Sequence, residues 1–310
     1  MKPTTLRHVS YNAGMNAIPL VSVVVPAYNA AGCVHRALDS ILAQTWQDQE
    51  IIVVDDGSKD DTFRVLSAYG GRLHVLSQAN AGPAAARNYG LRVARGQYVA
   101  FLDADDYWLP EKLACQVALL EAHPEIGFCS TASSVVDTQG EHVRDWPCRH
   151  ADIETLFMHG AAVSGSTSGV LARRELLLEM GGFDERLRGF EDPDLWIRLT
   201  ARTAYACLPQ ALTVVVRTPN SVSGNLAAMC DATLASLTKN RELLPAGKRG
   251  GYWRAACAGA LADYAKSAYR SGQRGQALIW LLQALRLSPL RRGGLVLSLM
   301  LAMLKGDTLS

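Results

Sequence analysis

The stretch "QYVAFLDADDYWLP", residues Gln97 to Pro110, carries five apolar residues straight into three carboxylates, Asp103, Asp105 and Asp106, and then into Tyr107 and Trp108. Carboxylates grouped at the end of an apolar strand repel one another unless a positive charge or water reaches them. Either a cation belongs at this point or the stretch is a solvated turn.

Upstream, the same design recurs. "VSVVV" (Val21 to Val25) is a continuous β-branched run stopped by Pro26, as expected of a strand buried on both faces. "CVHRALDSILAQ" places Val34, Ala37, Leu38, Ile41 and Leu42 at helical spacing. The alternation continues with "EIIVVDDGS" as strand and turn, "DDTFRVLSAYG" as helix, "RLHVLSQ" as strand, "GPAAARNYGLRVARG" as helix and "QYVAFLDADD" as strand. Short apolar strands alternating with helices predict a doubly wound, mostly parallel α/β sheet with a Rossmann-like half. Such sheets bind ligands outside the carboxyl ends of their strands. Tyr28 and Asn29, Asp55 and Asp56, and Asp103 to Asp106 are therefore expected along one edge.

The chain has 310 residues, 49% hydrophobic and 19% charged, enough for one large domain or a smaller one with an appendage. Its 31 basic and 29 acidic residues leave a net charge of +2, without the strong positive field of a dedicated nucleic-acid binder. The charge is uneven, since Arg270 to Arg292 is basic with no acid. The seven scattered cysteines include no C-x-x-C pair and read as reduced thiols in a cytoplasmic setting. No secretory signal or transmembrane helix is expected.

Downstream, Gly127 to Val143 suggests a further strand. "SGVLARRELLLEMGGFDE" reads as a strand end and a helix stopped at Gly181 and Gly182, and "FEDPDLWIRLT" as acids opening an amphipathic helix. Composition shifts after Asn220, and "GYWRAACAGALADYAKSAYRSGQRGQALIWLLQALRLSP" reads as two antiparallel helices, the second ended by Pro289. One such pair is too few for a solenoid.

Each acidic element alone is weak, because D-x-D triplets and Asp-Asp-Gly turns also occur as plain solvated turns. Their order is specific. With "VVVPAYNA", "VVDDGSKDDT", "NAGPAAARNYG", "FLDADDYW" and "GGFDERLRGFEDPDLWIRL" in succession, the chain from Val21 to about Ser223 resembles the family 2 glycosyltransferases, which have the GT-A fold. The resemblance implies a catalytic domain over 21–225; the residues themselves read as a loose segment 1–20 before it, and a helical appendage 226–290 and a basic, apolar tail 291–310 after it. The resemblance also implies an inverting transfer of a sugar from a nucleotide-diphosphate sugar, by family habit a UDP-sugar, to a saccharide or lipid-linked saccharide acceptor in cell-surface polysaccharide or glycolipid synthesis.

The anionic diphosphate calls for a hard divalent cation, Mg²⁺ or Mn²⁺, which takes oxygen ligands and commonly bridges a carboxylate to phosphates. By carry-over, Asp105 is the metal ligand, Asp103 reaches the ribose or a metal-bound water, Ala104 lies between them against the donor, and Asp106 only assists. Pro26, Tyr28 and Asp56 would surround the base, Tyr28 by stacking and Asp56 by accepting from a ring N–H. Arg87 would pair with the diphosphate or hold the acids in place. Asp192 matches the family's general base and Glu191 its neighbour; without the upstream motifs the pair reads as a helix N-terminal acid pair, which the helix dipole favours. Trp108 and Trp196 are sugar platforms or core.

The chain departs from many relatives in having no histidine after His159, with Arg217 and Ser221 in the corresponding late segment. A sugar nucleotidyltransferase, the rival enzyme reading, calls for a basic glycine-rich loop after the first strand; "PAYNAAG" has no basic residue. A catalytically silent binding module is the non-enzymatic rival. Between Arg291 with Arg292 and Lys305, the apolar run Leu295 to Leu304 suits either peripheral membrane contact through residues 290–305 or a helix packed on the hairpin. A homo-oligomer is compatible with all of this.

Overall fold

The computed structural model describes residues 19–163, 166–217 and 225–305; the expected loose segment falls almost wholly outside them. The described chain divides into two units, one from residues 19–152, 161–163, 166–185 and 202–217, the other from 153–160, 186–201 and 225–305. Two segments from within the expected 21–225 domain therefore cluster with the helical part.

The first unit opens with β1 (Val21–Ala27), α1 (Val34–Leu42), β2 (Gln49–Asp55), α2 (Thr62–Ser67), β3 (His74–Ser77), α3 (Pro83–Val93) and β4 (Tyr98–Phe101). The spatial order β3-β2-β1-β4 is parallel throughout. Side chains alternate across a strand, and the core follows that alternation. Val21, Val23 and Val25 pack in one cluster with Val34, Leu38 and Ile41 of α1. Val24 points the other way, toward α3, where a Cβ on Gly90 would lie 2.3 Å from Val24 Cγ1.

Pro26 does not stop β1, which runs to Ala27 with Pro26 opposite Val54 of β2. The Val24 carbonyl accepts from Leu102 N on the β4 side. Pro26 faces that same side, beyond the last paired β4 residue, Phe101. Its missing N–H therefore forfeits no ladder bond.

The rest of the unit comprises β5 (Tyr107–Trp108), α4 (Lys112–Ala122), β6 (Ile126–Val136), β7 (His142–Trp146), β8 (Val170–Arg173) and α6 (Arg174–Glu179), with β9 (Ala204–Val216) following later in the chain. Strand β8 enters antiparallel between β4 and β6, β9 runs parallel to β6, and β5 and β7 pair antiparallel with β9 and β6. The parallel pattern thus belongs to the first half of the sheet. The glycine stop after α6 is present, with Gly181 at φ 74° and Gly182 at φ 68°.

The second unit holds α5 (Ile153–Met158), α7 (Glu191–Thr200), α8 (Leu226–Lys239), α9 (Gly251–Arg270), α10 (Arg274–Leu287) and α11 (Pro289–Lys305). Helices α9 and α10 form the expected hairpin. Small residues of α9, Ala258, Ala262, Ala265 and Ala268, are buried in one cluster with Trp280 and Leu281 of α10 and Val296 and Leu299 of α11. All seven cysteines are free.

Candidate active site

Parallel β1, β2 and β4 end together, so the loops after Ala27, Asp55 and Phe101 share one edge. The first two loops are tied through Asn29, which sits at φ 48°. Its backbone N–H donates to Ser58 Oγ at 2.9 Å and its Oδ1 accepts from Lys59 N at 2.8 Å. Tyr28 stands beside this knot, 47% exposed.

Asp56 is buried but well served. Its Oδ1 accepts from Gln78 Nε2 at 2.7 Å and Ala81 N at 2.9 Å, and its Oδ2 from Gly82 N at 2.8 Å. A carboxylate oxygen has about two acceptor positions, which leaves one on Oδ2.

The carboxylates after β4 have unlike surroundings. Arg87, buried on α3, donates from Nη2 to Asp103 Oδ1 at 2.6 Å, and its guanidinium lies 5.4 Å from the Phe183 ring centre. Asp106 is turned into the protein: Oδ2 accepts from Ser168 Oγ at 2.6 Å and Ser166 Oγ at 3.2 Å, and Oδ1 from Val216 N at 3.0 Å. Burial, then the charges of Asp103 and Asp105, push its carboxyl well above the usual range. Asp105 is pushed up to about 6, chiefly by burial and then by Asp103, while Arg36 and Arg87 pull it down. Arg36 Nη2 also donates to the Asp105 carbonyl at 2.8 Å and lies over the Tyr107 ring at 5.0 Å.

In the second unit, Glu191 and Asp192 open α7 after two residues with positive φ, Gly189 at 109° and Phe190 at 60°. Such a backbone in a bulky residue persists only where its surroundings hold it. Here a Cβ on Gly160 would lie 2.9 Å from Phe190 Cζ, and one on Gly189 only 2.2 Å from Met229 Sδ. Both side chains are partly exposed and stand in the first turn of α7. Asp194, in contrast, is fully buried and accepts from Ser236 Oγ at 2.9 Å, Asn240 Nδ2 at 2.8 Å, Arg198 Nε at 2.9 Å and Lys239 Nζ at 2.9 Å.

Residues 22–179 match the family model "Glycosyl transferase family 2". The chain belongs to glycosyl transferase family 2. The chain is 32% identical over 189 residues to an uncharacterized glycosyltransferase of Rickettsia typhi, covering 58% of each chain. It therefore spans little more than half the length of that relative. Among solved structures, residues 1–349 of S. aureus TarS in complex with UDP-GlcNAc superpose with a TM-score of 0.63 at 17% identity, over 86% of this chain and 91% of that one. The mannosyltransferase PcManGT from Pyrobaculum calidifontis, in complex with GDP-Man and Mn²⁺, gives 0.60 at 21% identity, over 93% and 81%. These likenesses carry the fold, which is GT-A with a helical C-terminal part.

The first unit brings Pro26, Tyr28, Asp56, Arg87, Asp103, Ala104 and Asp105 to the carboxyl edge of the parallel strands. Glu191 and Asp192 are carried by the second unit on α7. Trp108 and Trp196 are both buried, and Trp108 Nε1 donates to the Ser168 carbonyl at 2.7 Å, so both are core. In the late segment, Arg217 N donates to the Val136 carbonyl at 2.8 Å, and Ser221 lies outside the described residues.

The acid cluster fits a hard divalent cation. Among the described residues no three His, Cys, Asp or Glu side chains converge into a complete metal cage. Mg²⁺ and Mn²⁺ need none, because substrate phosphates and water complete their shells. Asp105, half-buried beside Asp103 and resisting ionisation, is the carboxylate a cation would relieve. Asp106 has both oxygens engaged and does not suit the role.

Sequence reasoning missed Ser166, Ser168, Arg36 and the Gln78–Gly82 cradle around Asp56. The polar run "SGSTSG" before β8 was the one local signal for the serines.

Proposed function

We propose that this glycosyltransferase moves a sugar, with inversion, from a UDP-sugar to a hydroxyl of a saccharide or lipid-linked saccharide, in cell-surface polysaccharide or glycolipid synthesis. The observation that carries the reading is the separation of roles among the acids after β4. Asp106 and Arg87 hold the loop, and Asp105 is left as a strained carboxylate at the strand edge.

In this reading the catalytic domain spans 21–225, with the helical part 226–290 and the tail 291–310 appended. Tyr28 offers its exposed ring to the base, beside Pro26, and the remaining acceptor position of Asp56 Oδ2 takes a ring N–H. Asp103 and Ala104 line the ribose and diphosphate, and Arg87 fixes Asp103. Asp105 would hold Mg²⁺ or Mn²⁺ together with the donor phosphates, and the cation supplies charge stabilisation for the departing diphosphate. Asp192 accepts the acceptor hydroxyl's proton as the new C–O bond forms on the face opposite the leaving phosphate oxygen, and Glu191 orients it.

Titration calorimetry with UDP, GDP and dTDP, with and without Mn²⁺, tests the donor half. UDP binding that requires Mn²⁺ and is weakened at least about tenfold by Asp105→Asn is expected. Asp192→Asn should keep that binding and lower transfer by about 10² or more. Metal-independent binding, or transfer at the parental rate by Asp192→Asn, would overturn the respective half.

A further inference from the structure

Helices α10 and α11 turn large aliphatic side chains outward. On α10, Ala277, Trp280, Leu281 and Ala284 are buried, whereas Leu278, Ile279 and Leu282 are 44%, 49% and 41% exposed. On α11, Val296 and Leu299 are buried against the hairpin, whereas Leu297 and Leu301 are 50% and 56% exposed. The packed-helix reading of the tail thus holds for one side of α11 only. Residues four apart stack on one helix face, so Leu278 with Leu282, and Leu297 with Leu301, each make an outward stripe.

The charge along this part of the sequence has one sign. From Lys266 to Lys305 the sequence contains Lys266, Arg270, Arg274, Arg286, Arg291, Arg292 and Lys305, and no Asp or Glu. A second copy meeting this surface about a two-fold axis would set basic segment against basic segment. An anionic lipid surface instead takes the aliphatic groups into its acyl boundary and the cations at its headgroups. No helix of the described residues is long and apolar enough to cross a bilayer, and with Val296 and Leu299 buried α11 would lie along the surface.

We propose that α10 and α11 together form a docking surface for an anionic lipid bilayer. The sequence pointed to residues 290–305 alone; the structure adds Leu278, Ile279 and Leu282. The inference rests on the proposed transfer to a lipid-linked acceptor only for its purpose, and its test separates the two.

The full chain is floated with phosphatidylcholine vesicles with and without phosphatidylglycerol, at low and high salt, beside Leu278→Glu/Leu282→Glu and Leu297→Glu/Leu301→Glu. The corresponding Ser pairs serve where a Glu pair fails to fold by circular dichroism. Flotation with anionic vesicles only, weakened by salt and lowered about tenfold or more by each pair, is expected. Equal flotation with neutral vesicles, insensitivity to both pairs, or sedimentation showing a dimer that the pairs dissociate would overturn it. Mn²⁺-dependent UDP binding is read on the same samples. Its retention with flotation lost isolates the surface, and its absence with flotation intact sinks the donor reading alone.

Discussion

Arg87 Nη2 lies 2.6 Å from Asp103 Oδ1, with the arginine side chain 5% and the aspartate 29% exposed. The third helix of the chain thereby fixes Asp103, the first acid of the loop after β4. Removing the guanidinium leaves a partly buried carboxylate next to Asp105 with less positive charge nearby, and takes away the contact with Phe183.

Arg87→Ala is expected to cost about 1–3 kcal/mol in urea denaturation. Arg87→Lys should restore only part of it, because an ammonium reproduces the charge but not the planar fork. Full stability in Arg87→Ala would mean that the pair holds nothing in place.

Lys112 supplies a pH prediction. Burial pulls its ammonium down to about 7 from 10.5; its Nζ donates to Gln116 Oε1 at 2.6 Å and sits 4.0 Å from the Trp108 ring centre. Between those two values the unfolded chain binds a proton that the folded chain does not, so stability rises with pH across that window. Below about 7 the folded state carries the buried charge and this gain is absent. Thermal melts should show wild type gaining on Lys112→Met as pH goes from 7 to 10; parallel profiles would refute the buried neutral lysine.

Asp194 tests the footing of α7, which carries Glu191 and Asp192. It is the one fully buried acid in "FEDPDLW", with Arg198 and Lys239 as ionic partners. Asp194→Ala removes the buried acceptor shared by Arg198, Lys239, Ser236 and Asn240 and is expected to cost about 3–5 kcal/mol. Calorimetric unfolding measures it, and a loss under 1 kcal/mol would show that α7 is held by other means.

Gly90 tests the helix-on-strand packing of the parallel half of the sheet. A Cβ there would meet Val24 Cγ1 at 2.3 Å, so Gly90→Ala is expected to destabilise by about 1–3 kcal/mol despite the better helix propensity of alanine. Gly90→Ala with Val24→Ala should recover part of that loss, and strict additivity of the two changes would argue against contact.

The parallel half of the fold was legible in the sequence because its signals are local. Runs such as "VSVVV" and "EIIVV" alternate with helical periodicity, and a parallel strand buried on both faces can be little else. The carboxyl-edge rule then gathered Tyr28, Asp56 and Asp103 to Asp106 without coordinates. The two-residue β5, the antiparallel entry of β8 and the long β9 were not legible, because their pairing partners lie far along the chain.

The sequence by itself determined the fold family and the set of candidate acids. Only the tertiary structure decided which of them are engaged. Asp105 and Asp106 are neighbours in the chain, yet Asp106 is bracketed by Ser168 and Val216, 62 and 110 residues away. Asp192 and Asp194 likewise differ because Asn240 and Ser236 reach Asp194 from 46 and 42 residues on. An acid's role depends on the donors around it and on how much water burial removes. Those donors arrive by folding, from parts of the chain that no local pattern connects.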